Sequence, residues 1–134
     1  VADDVSMIFF RSGRGDLDTA ALALADRAMS VERTADPFGD ELTVRCGHGP
    51  ILRIAFVKED HVRDEAADIS KSTPHEREMS QCECRYEILI DDLDLVLDEI
   101  NTLIEVQATL QSATSGFLFN SWNGEVSGPD AVAC

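Results

Sequence analysis

Apolar positions alternate in some short runs and recur at helical spacing in longer ones, and these two periods divide the chain into elements. Met7 to Arg11 is apolar and aromatic and is stopped by Ser12-Gly13-Arg14-Gly15, which reads as a first strand leaving through a loop. Leu17, Ala20, Ala21, Leu24 and Ala28 then recur at helical spacing, so a helix is expected from Asp18 to Ser30, with Asp16 or Asp18 as its cap. Asp36-Pro37-Phe38-Gly39-Asp40 is turn chemistry. It introduces two alternating runs, Glu41 to Cys46 and Ile51 to Val57, joined by Gly47-His48-Gly49-Pro50 into a hairpin.

Asp60 is placed to cap a second helix in which Val62, Ala66 and Ile69 share a face, and that helix should end before Pro74. Residues 71–81 are polar and read as a mobile loop. Arg85 to Ile90 alternates as a strand with Tyr86, Ile88 and Ile90 on one face. The longest helical pattern follows, from Asp91 to Ala113. Leu93, Leu97, Ile100, Ile104 and Leu110 form its buried stripe, widened by Val96, Leu103 and Val106. Gly116 is the expected stop, Phe117 to Trp122 a last strand, and Asn123-Gly124 a tight turn.

The order β-α-β-β-α-β-α-β predicts an α+β domain with a mainly antiparallel sheet of about five strands. Its first six elements match a ferredoxin-like (split βαβ) core with helices on one face, to which a C-terminal α-β extension is added. Residues 1–127 are expected to form one domain and 128–134 a disordered tail.

Charge changes the picture more than size does. Twenty-six Asp and Glu against eleven Lys and Arg give a net charge of −15, which disfavours direct contact with nucleic acid and attracts a basic protein surface at long range. No apolar run reaches the roughly eighteen residues that span a bilayer, and the start Val1-Ala2-Asp3-Asp4 lacks the basic charge of a signal peptide, so no membrane contact is expected. Four cysteines, Cys46, Cys82, Cys84 and Cys134, are too few for a disulfide scaffold, and a reducing cytoplasm is the expected compartment.

Strand parity concentrates basic charge locally. If Leu42, Val44, Leu52, Ile54, Tyr86 and Ile88 face the core, then Arg45, Arg53 and Arg85 point to the other side, and Arg11 joins them at the end of the first strand. That face would suit a carboxylate or phosphate, unless the arginines pair with Glu41, Glu87 and other acids or are covered by the third helix. The acids Asp94, Asp98 and Glu105 line one stripe of the last helix, and Asn120, Trp122 and Asn123 mark an amide-rich aromatic turn. These six residues are the expected partner-binding set, with Trp122 as the apolar anchor.

Other motifs carry less. Ser12-Gly13-Arg14-Gly15 lacks the third glycine of a dinucleotide fingerprint and the Lys-Ser/Thr of a P-loop, so an ordinary capped turn is expected. Cys46, His48, Cys82 and Cys84 are zinc-donor types, but their one-residue spacing is tighter than a finger or ribbon, and neither metal nor cofactor is expected. His48, His61 and His75 have no orienting acid and nucleophile nearby in sequence. The reading is a non-catalytic acidic binding module, inhibitor- or immunity-like, docking on a basic partner. The alternatives are a small-anion-binding protein or enzyme on the arginine face, and a structural homodimer subunit.

Overall fold

The computed structural model describes residues 4–34, 40–45, 50–71, 73–90, 93–122 and 124–128. Its elements run β1 (Asp4–Phe10), α1 (Leu17–Asp26), β2 (Ser30–Thr34), β3 (Glu41–Arg45), β4 (Leu52–Val57), α2 (Asp60–Ile69), α3 (Glu76–Met79), β5 (Cys84–Ile90), α4 (Leu93–Asp98), α5 (Ile100–Thr114), β6 (Phe117–Asn120) and β7 (Val126–Ser127). The strands form one seven-stranded sheet in the order β2-β3-β4-β5-β1-β6-β7. Every neighbouring pair is antiparallel.

The α+β class and the antiparallel sheet are as expected, but the ferredoxin-like order is not. A split βαβ core would seat β1 beside the strand at 52–57. Here β4 pairs with β5 instead, with Ile54 opposite Ile88, and β1 lies between β5 and β6. The helices also cover both faces. Ile8, Phe10, Leu42, Val44, Leu52, Ile54, Tyr86 and Ile88 meet Leu17, Ala20 and Leu24 of α1 and Leu103, Val106 and Leu110 of α5 in the main core. On the opposite face Phe9 and Phe117 pack with Val62, Ala66, Met79 and Cys82. The reason is in β1 and β6: Phe9 sits between Ile8 and Phe10, and Phe117 and Phe119 flank Leu118, so the central strands are apolar on both sides and need two layers of cover.

Two strands escape the alternation rule. β2 buries little, with only Val31 packed against the core, so no period marks it. It exists because α1 stops early: Ala28 takes φ +63° and the chain returns to pair Val31 with Val44 along β3. β7 is two residues long and closes on β6 through a turn in which Gly124, at φ +70°, donates its N–H to the Asn120 carbonyl at 2.8 Å. Asn123, the other half of that predicted turn, lies outside the described residues.

The polar stretch 71–81 is not a featureless loop. It contains α3, and Met79 and Cys82 are buried in the second core. One apolar residue in a single helical turn has no period to read, so α2 and the aromatic residues of the sheet supply the reason for its structure. The pattern from Asp91 to Ala113 divides at Glu99 into α4 and α5. Ser115, in the left-handed region at φ +53°, caps α5 in place of Gly116. Gly116 serves close packing instead, since a Cβ there would lie 2.6 Å from Ile8 and 2.9 Å from the Phe9 carbonyl. Asp60 begins α2 rather than capping it, and Glu59 takes the cap position without a side-chain bond. Of the expected tail, Gly128 is buried against His75, and residues 129–134 lie outside the described residues. Among the described residues no helix is long and apolar enough to cross a membrane.

Candidate functional site

The four arginines of the expected basic face are not brought together. Arg45, Arg53 and Arg85 do share the face opposite the main core, as parity requires, but α2 covers Arg85 there. Its side chain is 7% exposed, its Nε donates to Glu87 at 2.8 Å, and its Nη1 pairs with Glu65 of α2. The guanidinium also lies 5.7 Å from the centre of the Phe9 ring. Arg53 stands 3.7 Å from Glu41 on the neighbouring strand. Arg45 occupies the exposed end of β3, opposite Ser30. Arg11 lies beyond β1 and outside the ladder.

The expected partner set is scattered as well. Asp94 and Asp98 are exposed on α4, whereas Glu105 accepts from Arg27 at 3.2 Å and ties α5 to the end of α1. Asn120 is used internally: its Oδ1 accepts from Ser6 Oγ at 2.9 Å and from Gln107 Nε2 at 3.0 Å. Trp122 packs, partly buried, on the main core. Asn123 lies outside the described residues. The sequence reading buried Leu97 and Ile104, but the structure exposes them at 42% and 52%, with Leu95 at 52%. The run Leu93, Leu95, Val96, Leu97 itself held the signal, because three consecutive apolar residues cannot all lie on one face of a helix. Val96 turns inward and its two neighbours are left outside.

Cys82 is buried in the second core and Cys84 in the first, on opposite sides of the sheet, while Cys46 and His48 lie outside the described residues. Burial pushes the Cys82 thiol up to about 11 and raises that of Cys84, so both are protonated at neutral pH. Among the described residues no three His, Cys, Asp or Glu side chains are placed to hold a metal. His61 meets Glu59 at 3.1 Å on the surface, and the His75 ring lies 5.4 Å from that of Phe117.

The loop at 12–15 is a capped turn. Asp16 accepts from the Thr19 N–H at 2.9 Å, which holds its carboxyl below the usual range, and Tyr86 Oη donates to the Asp16 carbonyl at 2.6 Å. The carboxylate occupies the start of α1 and leaves no place there for a phosphate. A groove of about 380 Å³ beside the start of α2 is lined by Lys58, Glu59, Asp60, Arg63, Asp64 and Glu83, charged side chains of both signs. In comparisons of the chain with protein-family models, curated proteins and solved structures, nothing matches.

Proposed function

We propose that this domain is a non-catalytic binding module, inhibitor- or immunity-like in manner, that docks on a basic protein surface through α4 and the start of α5. One observation carries the reading: Leu95, Leu97 and Ile104 are large, apolar and about half exposed beside Asp94, Asp98 and Glu99, in a chain of net charge −15. Among the described residues none of those three acids makes an ion pair. In this reading the exposed apolar side chains supply desolvation energy, and the acids among them steer encounter and set the salt dependence. The anchor in this reading moves from Trp122, which the core already holds, to the exposed leucines.

The structural-homodimer reading draws on the same apolar side chains. It is disfavoured by charge, because two copies of −15 repel where a basic partner attracts. Sedimentation at two concentrations separates the two readings, and a concentration-dependent dimer would replace the hetero-partner reading.

The main test uses the domain and its L95S/L97S/I104S variant as paired baits at low and high salt. The expected partner has a basic surface, is retained by the wild type at low salt and released at high salt, and binds the variant at least about tenfold more weakly when purified. A partner held equally by both baits, or held regardless of salt, overturns the proposal.

A further inference from the structure

We propose that a cleft at the C-terminal end of β1 is a separate binding site for a compact organic acid, its single oxyanion group held by Arg11 and Arg14. The cleft has a volume of about 280 Å³, at the lower end of what small-ligand sites use. Three segments build it: the end of β1 with the turn that follows, the α3 region, and the junction of α5 with β6. Phe10, Cys82, Thr114 and Phe117 lie almost fully buried at its base, and Arg11, Arg14, Glu78 and Ser115 are its exposed rim.

The two arginines are set by one turn. The Arg14 N–H donates to the Arg11 carbonyl at 3.2 Å, and Gly13 supplies the positive φ of +89° inside the turn, so both guanidinium groups leave from its two ends. The next residue is wedged in place: a Cβ on Gly15 would meet Tyr86 Oη at 2.9 Å and Thr114 at 3.0 Å. The turn therefore stands on a fixed base.

Acids outnumber bases more than twofold, and Arg27, Arg33, Arg53 and Arg85 are taken by carboxylates, whereas Arg11 and Arg14, like Arg45, Arg63 and Arg77, form no ion pair among the described residues. Among the described residues the Arg11 and Arg14 side chains make no hydrogen bond or ion pair. The nearest sequence acid, Asp16, is turned to Thr19. Two guanidinium groups at the rim of one cleft match a carboxylate or a phosphate monoester, and Phe117 at its base offers an apolar contact to a compact organic body. Glu78 also lines the cleft, and its charge opposes a second anionic group. The class is thus one oxyanion on a compact organic body, not a polyphosphate or a nucleic-acid backbone. Cys82 is a wall of the site and not a nucleophile, because it remains a thiol at neutral pH.

Calorimetric titration with phenyl phosphate, benzoate and inorganic phosphate tests the site. Saturable binding is expected for phenyl phosphate or benzoate, at least about tenfold tighter than for inorganic phosphate, and weakened about tenfold or more in R11Q/R14Q. The E78Q variant should bind more tightly and R45Q, on the distant strand β3, as the wild type does. NMR shift changes in the wild type, expected at residues 11–14 and at Ser115, give a reading that depends on no variant. Absence of saturable binding, equal binding by R11Q/R14Q, shift changes elsewhere, or inorganic phosphate binding as well as phenyl phosphate would each overturn the inference.

Discussion

Arg85 shows how a side chain that parity sends away from the main core still ends up buried. Its guanidinium lies between β5 and α2, satisfied by Glu87 two residues on and by Glu65 twenty residues back. A charge with so little exposure is tolerable only while its partners remain. E65Q/E87Q should therefore lose about 3 kcal/mol in chemical denaturation. R85M should lose markedly less, because Glu65 and Glu87 keep 46% and 21% exposure and can be rehydrated. Equal losses would mean that the buried charge is not what the acids serve. Asn120 teaches the same lesson without charge. Its partners Ser6 and Gln107 come from β1 and α5, so nothing adjacent in sequence marks its amide as internal.

At the scale of elements, local chemistry was a good guide where an element carries its own signal. Asp16 caps α1 as its sequence suggests, and the cap makes a pH-dependent contribution. Its carboxyl is held below the ordinary value of 3.8, chiefly by the Thr19 N–H, so the folded state favours the ionised form. The resulting stabilisation is fully present above 3.8 and is lost as pH falls through the lower folded value. D16A should cost about 1 kcal/mol near neutral pH, and the difference from wild type should shrink below about pH 4. A difference that persists unchanged in acid would assign the effect to something other than the charged cap. Elements without such a signal went unread. β2 has one partly buried residue in five, and α3 is a single turn with one buried methionine. Both are made by their neighbours, β3 for the first and the α2 layer for the second.

For the whole molecule, the distribution of charge matters as much as its sum. A net charge of −15 repels itself in the compact state, and the exposed ion pairs, such as Arg27 with Glu105, are worth little each. Adding sodium chloride from low ionic strength to about 0.2 M should therefore raise the melting temperature by a few degrees, as screening relieves repulsion faster than it weakens the pairs. A fall in melting temperature would mean that specific ion pairs dominate. The strands of the β3–β4 hairpin, the strands near 4–10, 84–90 and 117–120, and helices α1, α2 and α5 were legible because their periods of two and 3.6 belong to neighbouring residues. The overall acidity was legible too. Strand order, the second helical layer, the isolation of Arg85 from Arg11 and the exposure of Leu95 and Leu97 were not. Each of those is decided by which distant surfaces meet, and an apolar strand face or an arginine has several comparable partners until the whole chain is packed and one arrangement buries the most.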